Sequence, residues 1–73
     1  MFEVHAQWDD QAYVWYATSD DLPGLCVEAN TFDDLVKVAM ELAPELLELN
    51  QVSVDGSLSL HITAERTLLA KAA

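Results

Sequence analysis

The stretch SDDLPGLCVEANTFDDL, residues 19–35, marks the point where this chain changes from strands to a helix. Its LPG segment at 22–24 breaks an extended region, and the short apolar run at 25–29 predicts a strand. Thr31 fits a helix N-cap, and Asp34 follows three residues later in a variant of the capping box. Acidic residues in a first helical turn also interact favourably with the helix dipole. We therefore predict a strand-to-helix transition near residue 31.

Upstream of this stretch, the sequence predicts a β-hairpin. Residues 2–8 alternate apolar and polar side chains, and residues 13–19 are rich in aromatic and β-branched types. A connection through 9–12 would place Trp8 opposite Tyr13, and opposed residues share a face of the sheet. The predicted apolar face carries Phe2, Val4, Ala6, Trp8, Tyr13, Trp15 and Ala17, and the other face carries His5, Gln7, Val14, Tyr16 and Thr18.

Downstream, residues 32–49 repeat apolar side chains at helical spacing. Pro44 lies inside this segment and predicts a kink or two helical pieces. An Asp55-Gly56 turn then precedes a fourth strand at 57–63, and the remaining tail fits either a short helix or a frayed end.

The element order is therefore β-β-β-α-β. It predicts one small α+β domain over residues 1–73, with an antiparallel sheet and one main helix on one face. A single helix cannot cover both faces of the sheet. The uncovered face, which includes side chains from the second strand, is a candidate interface.

Composition limits the function. The 73 residues contain thirteen Asp and Glu but only three Lys and Arg, for a net charge of -10. Such a charge disfavours direct binding to nucleic acid or to anionic lipid and favours a basic protein partner or simple solubility. The single cysteine excludes an internal disulfide and fits a cytoplasmic protein. We expect no metal or other cofactor.

Three further residues could carry chemistry but are better explained by structure. Cys26 lies in an apolar run and is expected to be a small buried hydrophobe. His5 and His61 lie on the polar phase of their strands, where surface histidines are the norm. We therefore expect no enzymatic activity from them.

The order of short motifs resembles the HicB-like antitoxin superfamily. The residues that carry the resemblance are WYATS at 15–19, DLPGL at 21–25 and EANTFDDL at 28–35. The similarity extends over residues 2–63, and it is strongest to a branch of short stand-alone HicB-like domains of unknown function. It implies a partial RNase-H-like fold with the order β-β-β-α-β.

The resemblance also implies a function in a toxin-antitoxin system. HicB-like antitoxins neutralise HicA, a small basic toxin that cleaves mRNA, and they commonly self-associate. Many carry a DNA-binding C-terminal extension, whereas only ten residues follow Thr63 here, so we expect no such extension. Two hypotheses follow: an antitoxin-like module that binds a basic HicA-like protein, or an orphan module that forms homo-oligomers without a toxin.

The acidic pairs allow a third hypothesis, a nuclease that binds two metal ions. A turn and a helix N-terminus explain both pairs more simply, and basic residues for holding phosphate are scarce. On the protein-binding hypotheses, aromatic side chains would anchor a partner and acidic ones would steer it. The candidate partner-binding residues are Trp15, Tyr16, Asp20, Asp21, Asp33 and Asp34.

Overall fold

The computed structural model describes residues 1–53 and 56–72. Its elements follow the predicted order and confirm a small α+β fold. They are β1 (Phe2–Asp9), β2 (Val14–Thr18), β3 (Cys26–Ala29), α1 (Phe32–Leu49) and β4 (Leu60–Glu65). Residue 55 of the predicted Asp55-Gly56 turn lies outside the described residues, and the fourth strand begins and ends later than predicted.

The four strands form one mixed sheet in the order β3-β2-β1-β4. β1 pairs antiparallel with β2, and β2 pairs antiparallel with β3. β4 instead pairs parallel with β1, so the expectation of a wholly antiparallel sheet was wrong. The cause is the connection: α1 carries the chain back across the sheet, and a strand that follows such a crossover runs parallel to the strand before it.

The hairpin register differs from the prediction by two residues. Trp8 pairs with Trp15, and Ala6 pairs with Ala17. Tyr13 is not in a strand but ends the turn, with a φ of 57° and a 73% exposed side chain. A shift of two preserves which face each strand residue lies on, so Tyr13 alone leaves the predicted apolar face.

Asp9 explains the longer turn. Its carboxylate accepts hydrogen bonds from the backbone N–H groups of Gln11 (2.9 Å) and Ala12 (3.1 Å), and its carbonyl accepts one from Tyr13 N–H. An Asp that bonds to the backbone just ahead of it stabilises a turn. The connection therefore runs over residues 10–13.

The helix begins as predicted, and Pro44 does not divide it. Thr31 is the N-cap, and its hydroxyl accepts a hydrogen bond from Asp34 N–H at 3.1 Å. α1 is one continuous helix through Pro44, so of the two predicted alternatives, a kink or two helical pieces, the second is excluded. Pro44 and Met40 are both exposed, so water can satisfy the Met40 carbonyl that the proline leaves without its helical donor.

The helix ends in a Schellman motif without glycine. Val52 N–H bonds to the Leu47 carbonyl, and Gln51 N–H bonds to the Glu48 carbonyl, which are the two bonds of that motif. Gln51 occupies the left-handed position with a φ of 60°. Sequence analysis did not identify this helix end because the usual glycine signal is absent.

The core lies between α1 and one face of the sheet. Val27, Ala17 and Ala6 form one buried row across β3, β2 and β1, and Ala64 continues this row on β4 but is exposed. Ala39 and Ala43 of α1 are fully buried. Small side chains on both layers allow a helix and a sheet to approach closely. The buried residues are Val4, Ala6, Ala17, Leu22, Leu25, Val27, Leu35, Ala39, Ala43 and Leu47.

Two expectations outside the core need correction or refinement. Cys26 is exposed, so its assignment as a buried hydrophobe was wrong. β3 alternates, and Val27 rather than Cys26 lies on the core face. The described tail, residues 66–72, contains no helix or strand, which excludes the short helix there.

Candidate functional site: the open face of the sheet

The face of the sheet opposite α1 carries two polar rows that run across all four strands. Strand register aligns Cys26, Thr18, His5 and Thr63 in one row, and Glu28, Tyr16, Gln7 and Glu65 in the next. Within the second row, the Tyr16 hydroxyl donates a hydrogen bond to Gln7 Oε1. This open face therefore presents an ordered set of donors and acceptors.

Both histidines take part in this surface. His61 Nδ1 lies 2.7 Å from Glu3 Oε2, and His5 Nδ1 lies 3.1 Å from the Thr63 hydroxyl. Each contact joins β1 to β4. Both histidines are exposed, which confirms the prediction that they lie on the polar phase of their strands. The Glu3 and His61 side chains are 43% and 52% exposed, so solvent screens their interaction.

The pair Asp20-Asp21 lies just after the end of β2, and its two carboxylates have different roles. Asp21 Oδ2 accepts a hydrogen bond of 2.7 Å from Glu3 N–H, and the Ser19 hydroxyl donates to the Glu3 carbonyl. The loop after β2 therefore holds the start of β1 in place. Asp20 is exposed.

The pair Asp33-Asp34 lies in the first turn of α1, at the other end of the sheet. β3 separates the two pairs, and its four residues span roughly 13 Å. The carboxylates of the two pairs therefore do not converge on one point. Among residues 1–53 and 56–72, no three His, Cys, Asp or Glu side chains gather as a metal site would require.

Trp15 and Tyr16, the two candidate anchors, lie on opposite faces. Trp15 packs edge to face against Trp8 (ring centroids 5.7 Å apart) and against Phe32 (5.3 Å), on the helix side. Tyr16 lies on the open face between Glu28 and Gln7. Of the six sequence-derived candidates, only Tyr16 therefore belongs to the polar rows.

Sequence reasoning missed a second polar cluster at the end of the aromatic row. The Arg66 guanidinium lies 4.2 Å from the centre of the Trp8 ring, and Trp8 Nε1–H donates to Asp10 at 2.7 Å. Arg66 and Trp8 are far apart in sequence, and only the parallel pairing of β4 with β1 brings them together. Alternation had placed Trp8 on the apolar face but could not supply its partner.

No helix in the described part of the chain is long and apolar enough to cross a membrane.

Comparisons with known proteins agree with this fold. The chain is similar to the hypothetical protein TTHA1013 of the extremely thermophilic bacterium Thermus thermophilus, whose crystal structure superposes with a TM-score of 0.81. The two are 43% identical, and the match covers 93% of this chain and 96% of that one. A search of the curated proteins gave no significant match. The family model described as a domain of unknown function, DUF1902, matches residues 1–71, and the chain therefore belongs to the DUF1902 family.

Proposed function

We propose that the chain is a protein-binding module that presents the open face of its sheet to a basic partner. The observation that carries this proposal is the chemistry of that face. Its ten aligned residues, with Glu3 and His61 added to the two rows, include three glutamates and no lysine or arginine. Apart from Cys26 they are polar, and the Tyr16 ring supplies apolar contact area.

Electrostatics supports a basic rather than an acidic or neutral partner. The whole chain carries a net charge of -10, so its field attracts a positively charged protein and accelerates encounter. Tyr16 is half-buried among polar neighbours, and tyrosine is one of the residue types that concentrate binding energy in interfaces. The open face therefore combines an aromatic contact with an acidic surround.

The resemblance to HicB-like antitoxins suggests a specific kind of partner. A HicA-like toxin is small and basic because it binds RNA, and an acidic surface can cover a surface that is built for phosphate. On this proposal, the chain neutralises such a toxin by occupying its RNA-binding face. The exposed carboxylates Asp20 and Asp33 at the two ends of the sheet add to the long-range attraction.

The test is co-expression of the tagged chain with the product of the adjacent reading frame. We expect the two to purify together, and we expect the partner alone to degrade RNA. The double variant Tyr16→Ala/Glu28→Lys should weaken the complex at least about 100-fold, because it removes the aromatic contact and reverses a charge. Glu41→Lys is the matched control, since it makes the same charge reversal on the exposed side of α1.

Two outcomes would contradict this proposal. One is a failure of the adjacent gene product to bind at micromolar concentration. The other is a complex that Tyr16→Ala/Glu28→Lys and Glu41→Lys weaken equally, because the open face would then have no special role.

A second candidate function is self-association without a toxin partner. It is favoured by a different observation: Leu68 and Leu69 in the tail are 70% and 98% exposed. Contiguous exposed apolar surface marks sites at which another protein binds.

A further inference from the structure

The tail of this chain is chemically unlike the body that precedes it. Residues 66–73 contain Arg66 and Lys71 and no acidic residue, whereas the first 65 residues contain all thirteen acids and one lysine. Two of the three basic side chains of the protein thus lie on this segment, and the apolar residues Leu68, Leu69 and Ala70 lie between them. A basic, apolar segment is complementary in charge to the acidic body.

The tail also projects away from the body. The Cα radius of gyration is 14.2 Å and the longest dimension is 54 Å, whereas a compact chain of this length has a radius near about 11 Å. The exposed leucines lie on this projection and not against the core of their own chain.

An apolar groove lies at the far end of the helix. Its volume is about 430 Å³, and Pro44, Leu47 and Glu48 of α1 line it together with Val52 and Leu58. The apolar residues of the groove are complementary to the tail leucines, and the Glu48 carboxylate is complementary in charge to a basic side chain.

The tail cannot place its leucines in the groove of its own chain. Arg66 lies over Trp8, which is linked through Trp15 to Phe32 at the start of α1. From Phe32 to the groove residues Pro44 and Glu48, the helix rises roughly 18 to 24 Å. Leu58 of the groove precedes β4, and the six residues of that strand, Leu60–Glu65, carry the chain roughly 20 Å further before Arg66. Leu69 follows Arg66 by only three residues, a reach of about 10 Å at full extension.

We propose that residues 67–72 form an arm that docks in the helix-end groove of a second copy of this chain. Leu68 and Leu69 fill the groove, and Lys71 lies near the acidic helix end. A two-fold axis makes the exchange reciprocal, because each copy offers one arm and one groove. This proposal rests on the second candidate function, self-association, and it needs no basic partner. An experiment that contradicts the arm therefore leaves the open-face proposal untouched, and the reverse also holds.

Sedimentation equilibrium at loading concentrations of about 1 to 200 µM, which brackets a Kd in the micromolar range, tests the proposal. We expect the full chain to dimerise, and we expect Leu68→Gln/Leu69→Gln to raise the dimer Kd at least about 100-fold. Leu49→Gln is the matched control, because Leu49 is 79% exposed on α1, and its Kd should match that of the unmodified chain. A monomeric unmodified chain, or a dimer that the double variant leaves intact, overturns the proposal.

A mixing experiment distinguishes an arm in a groove from contact between two tails. Val52→Lys blocks the groove and keeps the arm, whereas truncation after Thr67 removes the arm and keeps the groove. Each variant alone should be monomeric, and their mixture should form a heterodimer with a single arm seated. If Val52→Lys dimerises alone, or if the mixture stays monomeric, the arm does not bind the groove. Thermal unfolding of each variant verifies that the body remains folded.

Discussion

The two faces of the sheet come from the same strands but differ completely in chemistry. Val27, Ala17, Ala6 and Ala64 form a row on the helix side, and a shift of one residue gives the row Glu28, Tyr16, Gln7 and Glu65 on the open side. Ala6 and Ala17 in the first row are buried and let α1 approach, whereas Ala64 at the β4 end of that row is exposed. Polar residues in the second row stay in contact with solvent. The difference indicates that stability comes mainly from one face, which leaves the other available for recognition.

The largest expected difference comes from a charge placed on each face. Ala17 is 1% exposed, so Ala17→Glu should destabilise the fold by more than about 3 kcal/mol, because the carboxylate would be buried without a partner. Thr18→Glu is the control on the open face, and it should change the free energy of unfolding by no more than about 0.5 kcal/mol. Urea unfolding followed by circular dichroism measures both. Equal losses in the free energy of unfolding would mean that Thr18 is as inaccessible to solvent as Ala17.

A smaller difference is expected from the two neighbouring aromatics. Trp15→Ala should cost about 2 to 3 kcal/mol, somewhat below the range for a fully buried tryptophan, because the ring is half-buried against Trp8 and Phe32. Tyr16→Ala should cost about 1 kcal/mol through lost strand packing. Thermal unfolding ranks the two variants. A larger loss for Tyr16→Ala would assign it a structural role and weaken its candidacy as a binding residue.

The acidic pair after β2 provides a finer comparison. Asp21→Ala removes the acceptor for Glu3 N–H and should cost about 1 kcal/mol, the typical net value of a hydrogen bond. Asp20→Ala, the adjacent control, should leave the midpoint of urea unfolding unchanged. The hypothesis of a structural Asp21 fails if the two midpoints coincide.

The smallest effect is expected at the Glu3–His61 contact on the open face. His61→Gln should change the free energy of unfolding by under about 0.5 kcal/mol, because the Glu3–His61 contact is partly exposed and screened. Urea unfolding of this variant checks the value. A loss above about 1 kcal/mol would show that the open face contributes materially to stability.

Much of the fold could be predicted because several local signals agreed. Strand alternation, the Thr31 cap and the helical spacing of residues 32–49 each depend on neighbouring residues, and all three predictions were confirmed. The parallel pairing of β4 depends on a crossover, which no local pattern specifies. The hairpin register failed because Asp9 builds a longer turn with a tyrosine in a left-handed conformation.

Less of the candidate site could be predicted. Alternation separates the two faces correctly except at Tyr13, which lies in the turn. Residue type alone groups Trp15 with Tyr16, although neighbours in a strand point to opposite sides. The rows across four strands need the register of β3 and β4, which the sequence does not state. Asp21 was correctly assigned to a turn, but its bond to Glu3 N–H joins segments eighteen residues apart.

The exposed position of Cys26 has a practical consequence. It is the only cysteine of the chain and it lies in a row of the open face, so the unmodified protein carries one thiol that reports on that surface. A partner that covers the rows should slow alkylation of this thiol, whereas an arm seated in the helix-end groove should leave the rate unchanged. Reaction kinetics on a single natural side chain can therefore distinguish the two interfaces without any substitution.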